Sequence, residues 1–101
     1  MPPRPTHLDG AVVLHYAVSR DAAFHAIEDA GVLRLIAAMA IARYDASGQI
    51  YLFECTHDWD VVQDWDCESV EEAMGIALQH ARAGAPDWIA MPDRAAPSGT
   101  P

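Results

Sequence analysis

Hydrophobic and polar positions alternate over four stretches of the chain. From Ala11 to Val18, the residues Val12, Leu14, Tyr16 and Val18 interleave with Ala11, Val13, His15 and Ala17. A period of two marks a strand, and apolar residues on both sides place it inside a sheet. From Ala37 to Tyr44, Ala37, Met39, Ile41 and Arg43 alternate with Ala38, Ala40, Ala42 and Tyr44. Composition there favours a helix. The short loop Asp45-Ala46-Ser47-Gly48 nevertheless suits a hairpin, and a hairpin requires a strand before it. Gln49 to Thr56 is the clearest strand, with Ile50, Leu52, Glu54 and Thr56 on one face and Tyr51, Phe53 and Cys55 on the other. His57-Asp58 reads as the turn. Asp60 to Trp65 returns, with Val61, Gln63 and Trp65 opposed to Asp60, Val62 and Asp64. A two-residue and a three-residue loop both fit, and the choice decides which faces match.

Two stretches read as helix. Ser19 is placed to cap a helix over 20–30, with Asp21 in its first turn and Gly31 as its stop. Ser69-Val70-Glu71-Glu72 forms a capping box, after which Val70, Ala73, Met74, Ala77, Leu78 and Ala81 recur at helical spacing until about Gly84. Val32 to Ile36 fits a further helical turn or a strand. Leu8-Asp9-Gly10 reads as a turn, and Asp87 to Met91 as a short edge segment anchored by Trp88. The fold class these elements predict is α+β: an antiparallel sheet of three to four strands with two helices packed on one face. It forms a single domain over 1–92, followed by a disordered tail at 93–101.

Composition narrows the function. A chain of 101 residues, 51% of them hydrophobic, supports one core and excludes a disordered polypeptide. A formal charge of −9 opposes binding to nucleic-acid phosphates and to anionic membranes. The longest apolar run, Leu35 to Ala42, is too short for a membrane span. Met1-Pro2-Pro3-Arg4-Pro5 lacks the apolar stretch of a secretory signal, so a cytoplasmic protein with reduced thiols is expected.

Acidic residues are concentrated between Glu54 and Glu72. Glu54, Asp58, Asp60, Asp64 and Asp66, together with Trp59 and Trp65, make a candidate interaction patch. Cys55 and His57 share a strand face, and Cys67 with Asp64 or Asp66 could complete a metal site. Zinc sites usually carry a paired Cys-x-x-Cys or His-x-x-x-His, which this chain lacks. A buried Cys55 and a turn residue at His57 are therefore the simpler expectation, with no metal or cofactor. A Cys55–Cys67 disulfide is disfavoured. In the expected hairpin Cys67 lies about five residues beyond the partner of Cys55, at ~3.3 Å each.

No nucleophile elbow, phosphate-binding loop or dinucleotide fingerprint occurs, and His7, His15, His25, His57 and His80 show no triad-like order. His15 is expected as a core histidine, and no residue is assigned a catalytic role. Tyr51, Phe53, Trp59, Trp65 and Trp88 crowd a small sheet, whose face away from the helices would offer a homodimer patch.

Tyr51-Leu52-Phe53-Glu54-Cys55, Trp59-Asp60-Val61, Asp64, Ser69-Val70-Glu71-Glu72-Ala73 and Trp88 resemble a group of small uncharacterised bacterial proteins. These carry a Tyr-Leu-Phe-x-Cys strand, a Trp-x-Val return strand, an acidic capped helix and a late Trp. The likeness covers about residues 49–89. In that group Thr-Trp-His follows the return Asp, whereas this chain has Trp65-Asp66-Cys67. The resemblance implies the hairpin-plus-helix arrangement and no particular activity.

Three functions follow, in order of expectation. The first is a non-enzymatic interaction or binding module, dimeric. The second is an acidic inhibitor of the immunity or antitoxin kind, whose carboxylates would mask a basic protein partner. The third is a small-ligand or metal-dependent enzyme, which requires an enclosed pocket.

Overall fold

Residues 4–82 and 84–92 are described in the computed structural model. In order these are β1 (His7–Leu8), β2 (Ala11–Val18), β3 (His25–Asp29), β4 (Val32–Ile36), β5 (Ala38–Arg43), β6 (Ile50–Cys55), β7 (Val61–Cys67), α1 (Val70–His80) and β8 (Ile89–Ala90). The main sheet is antiparallel and curled, with strand order β1-β2-β5-β6-β7. β8 pairs with β2 at His15 and Tyr16, beyond the contact of β1 with Val12 and Ala11. β3 and β4 form a separate two-stranded hairpin.

The expected α+β layout of two helices on three to four strands is therefore wrong. The described residues are mostly strand, with one short helix. The spacing predicts a helix over 20–30, yet the second half of that segment is β3. Ser19 Oγ accepts from the Asp21 amide in a local turn instead of capping a helix. Gly31 does take positive φ, but so does Ala30 before it, at 81° and 53°. Two consecutive positive φ values between the paired Asp29 and Val32 make a tight hairpin turn. A glycine with positive φ ends helices and turns hairpins alike, so its presence could not separate the two. Val32–Ile36, open between helix and strand, is β4. The tail expected at 93–101 lies outside the described residues.

The strands expected at Ala37 to Tyr44, Gln49 to Thr56 and Asp60 to Trp65 all form, as does the helix after Ser69. Ser69 Oγ accepts from the Glu72 amide, while Glu72 Oε1 accepts from the Glu68 amide, one residue before the cap. The turn after β6 is longer than two residues. Thr56 Oγ1 accepts from the amides of Asp58 and Asp60, and Trp59 takes a φ of 66°.

Both faces of the curled sheet are filled. On one, Ala11, Val13, Ala38, Ala40, Ala42, Phe53, Cys55 and Trp59 form a cluster in which rings pack over a row of alanines. Trp59 stands edge-on to Tyr16, with ring centroids 6.3 Å apart. On the other, Met39, Ile41, Leu52 and Cys67 receive Ala73 and Ala77 of α1, whose small side chains let the helix approach closely. Leu78, expected on that contact, is exposed. The face away from α1 is thus a core of its own and not the open dimer patch foreseen for it.

Two register shifts shape the sheet. One falls between Val13 and His15 in β2, and the other between Glu54 and Cys55 in β6, where Val62 of β7 is the extra residue. A bulge of this kind bends its strand and re-aims the neighbouring side chains. Here it puts Val62 in the cluster under α1, on the side that Gln63 shares with Glu54, while Val61 joins the cluster around Phe53.

Candidate functional site

Glu54 is the only fully buried charged residue among those described. Alternation puts it there. It follows Ile50 and Leu52 on the side of β6 that faces α1, opposite Gln63 and next to the Val62 bulge. Burying a carboxylate is costly unless it is paired or bound to a cation. Two histidines converge on it. His80 occupies the last turn of α1, on the flank that carries Ala73 and Ala77, and its Nδ1 lies 2.6 Å from Glu54 Oε2. His25 opens β3, and its Nε2 lies 3.4 Å from Glu54 Oε1.

Phe24 brings these three elements together. Its amide donates to the Ile36 carbonyl, and its own carbonyl accepts from the Arg82 amide just past α1. The base of the β3–β4 hairpin is thereby tied to the end of the helix, which sets the His25 ring 5.6 Å from that of His80. Trp65 of β7 closes another side, edge-on to His80 at 5.1 Å.

These groups line a small cleft of about 150 Å³, shared with Ile27, Gln63, Gln79 and Arg82. Four buried side-chain nitrogen or oxygen atoms have no hydrogen-bond partner among the described residues, and three of them belong to this cleft: His25 Nε2, Glu54 Oε1 and Trp65 Nε1. The ligand atoms of His25, Glu54 and His80 all fall within 4.8 Å of one another. Two imidazoles and one carboxylate at that spacing can share a proton or chelate a cation.

The residues singled out from the sequence go elsewhere. Cys55 points into the cluster around Phe53 and Cys67 into the cluster under α1, so the two free thiols lie on opposite faces of the sheet. Burial pushes the Cys55 thiol up to about 12, with the Asp9, Glu54 and Asp60 carboxylates adding to the shift. Burial also raises Cys67. His57 is exposed in the turn, 3.4 Å from Asp58. Within the candidate patch, Asp58, Asp60, Asp64 and Asp66 are exposed, Trp59 is buried, Trp65 lies half-buried against His80, and Glu54 is enclosed. Two of its residues, Glu54 and Trp59, are thus internal and cannot belong to an exposed surface. Asp64 and Asp66 sit beside Tyr51, whose phenol is raised by burial and then by these two carboxylates.

His25 and His80 were passed over because they stand 55 positions apart and share no local motif. A signal was present in the interruptions. Glu54 breaks the apolar face of the strand that also carries Ile50 and Leu52, and His80 breaks the apolar stripe of the helix.

No protein-family model, curated protein or solved structure matches this chain.

Proposed function

We propose that this chain is a non-enzymatic binding module that self-associates through the outer face of the β3–β4 hairpin. The observation that carries this reading is the exposure of Leu33 (67%) and Leu35 (48%) on one face of one short strand. Leu33 and Leu35 stand opposite Glu28 and Ala26, and all four are exposed. The hairpin's other side faces inward through His25, Ile27, Arg34 and Ile36. Two strands alone are marginally stable in water, and an apolar face left open on them favours a partner. A second copy supplies one with matching chemistry, and twofold pairing is the commonest form of association. The net charge of −9 repels copies from one another, so the association should tighten as salt screens it. The buried thiols, both raised above the ordinary range, are poor nucleophiles, which supports binding over catalysis.

The test is sedimentation velocity over a range of concentrations and salt, for the wild type and for a Leu33→Asp/Leu35→Asp variant. A wild-type dimer that strengthens with salt, and a monomeric variant with unchanged circular dichroism, are expected. A wild type that stays monomeric, or a dimer indifferent to both substitutions, overturns the reading.

A further inference from the structure

We propose that His25, Glu54 and His80 form a binding site for a divalent transition-metal ion, with zinc the ion that best fits the donor set. This rests on the cleft beneath the hairpin and is independent of whether the hairpin's outer face pairs.

Three observations point to a ligand. The first is the donor set. Two imidazole nitrogens and one carboxylate are a recurrent three-residue zinc arrangement that leaves a further position open. Magnesium and calcium prefer oxygen ligands throughout, so this set selects against them. The second is the spacing. With metal–ligand bonds near 2.0–2.1 Å, neighbouring donors in a tetrahedral site stand roughly 3.3 Å apart. His25 Nε2 to Glu54 Oε1 is 3.4 Å, and His80 Nδ1 to Glu54 Oε2 is 2.6 Å. The whole set lies within 4.8 Å. Opening the short His80–Glu54 contact to roughly 3.3 Å would turn the three groups into a coordination face.

The third is the distribution of unpartnered atoms. A hydrogen-bonded Glu54–His80 pair would account for one carboxylate oxygen and one ring nitrogen. It leaves Glu54 Oε1, fully buried, and His25 Nε2 without hydrogen bonds among the described residues, facing each other at 3.4 Å. A buried polar atom without a hydrogen bond is costly, and more so when charged. A cation held between them satisfies both at once. Trp65 Nε1, the third unpartnered atom of the cleft, is a donor suited to an oxygen ligand in the open position. His80 is 26% exposed, so the site is reached from solvent along the end of α1.

The carboxylate comes from the sheet, one imidazole from the helix and the other from the hairpin. An ion there would pin three elements together. It would also orient the base of the hairpin whose outer face carries the leucines.

The test uses the full chain, stripped with a chelator and then titrated with Zn²⁺ in competition with a chromophoric chelator. Co²⁺ serves as the spectroscopic probe. One ion per chain is expected, with visible cobalt bands and no thiolate charge-transfer band, because both cysteines lie outside the set. His25→Ala, His80→Ala and Glu54→Gln should each weaken Zn²⁺ about 100-fold or more, since even outer-shell changes cost 10–100-fold. His57→Ala, in the exposed turn, should bind as the wild type does. Mg²⁺ and Ca²⁺ should not compete. Circular dichroism checks that each variant folds. Should Glu54→Gln fail that check, the two histidine variants and the wild-type cobalt spectrum still decide. Absence of one-to-one binding, a thiolate band, or affinity that survives loss of either histidine overturns the proposal.

Discussion

Glu54 and His80 join the end of β6 to the last turn of α1, with carboxylate oxygen and ring nitrogen 2.6 Å apart beneath the helix. The two partners are unequally enclosed, since Glu54 is fully buried and His80 is not. Removing His80 therefore strands a buried carboxylate, while removing Glu54 frees a ring that can still reach water. Breaking such a pair from the exposed side costs about 3 kcal/mol, whereas replacing the buried charge with an apolar residue of similar volume is often neutral or stabilising. In chelator, urea denaturation should show His80→Ala well below the wild type and Glu54→Leu close to it. The order should hold even though both variants lose the proposed metal ligand. Equal destabilisation by the two would mean that the pair is solvated.

The β3–β4 turn contains a removable strain. Ala30 takes a φ of 53° and Gly31 one of 81°. A Cβ resists that region by roughly 1–2 kcal/mol, and asparagine tolerates it better than alanine. Ala30→Asn should stabilise the domain by about 0.5–1 kcal/mol. A Cβ at Gly31 would meet nothing within 4 Å, so Gly31→Ala should cost about 1 kcal/mol through backbone conformation alone. Chemical denaturation of both variants checks the opposite signs. A destabilised Ala30→Asn would place the turn in another conformation.

That same turn marks where the amino-acid sequence ceased to be legible. Strands β5, β6 and β7 and helix α1 were readable because each has long, regular periodicity and, in α1, a cap at Ser69. The segment 20–30 has only Ala23, Ile27 and Ala30 at helical spacing, and Phe24, the buried anchor, fits either element. Its pairing with β4 is what decides the outcome, and pairing is not a local property. Face assignment failed for a similar reason. The Val62 bulge shifts the pairing by one residue, so Val61 and Gln63 part company although they stand two apart. The cleft was hidden because its three ligand atoms come from a hairpin, a strand and a helix end. Its traces are a charge on an apolar face at Glu54, easily grouped with the acidic run around it, and a histidine, His80, in the apolar stripe of the helix.

Cys55 should protect itself chemically and carry a pH signature. Burial raises its thiol from about 9 to about 12. Below the ordinary value both native and unfolded thiols are protonated, and the group makes no demand. Between 9 and 12 the unfolded thiol ionises while the native one keeps its proton. The native state then binds more protons, so stability falls as pH rises through that window. Cys67 and Tyr51, both raised, act in the same direction. Denaturation between pH 8 and pH 11 should therefore show a decline that is shallower in Cys55→Ala. At pH 8, iodoacetamide should modify neither cysteine until urea is added. Rapid alkylation of the native protein would place Cys55 at the surface.

β7 ends the main sheet, and among the described residues no strand pairs with its outer edge. An open edge is a template for another chain unless something blunts it, and charge is the usual device. Asp64 and Asp66 are exposed on the side of β7 away from α1, and Asp60 stands just before the strand. Blunting this edge would give the acidic run a local use that requires no partner. Replacing Asp64 and Asp66 with threonine keeps strand propensity and removes both charges. The double variant should fold with the same circular dichroism. It should nevertheless aggregate at concentrations where the wild type stays clear, as read by light scattering and thioflavin fluorescence. Moderate salt should shorten the wild type's lag and leave the variant's almost unchanged, because in the variant the repulsion at the edge is already gone. A variant as soluble as the wild type would show that the edge is protected by its twist or by the Val62 bulge, and would leave these carboxylates free for another role.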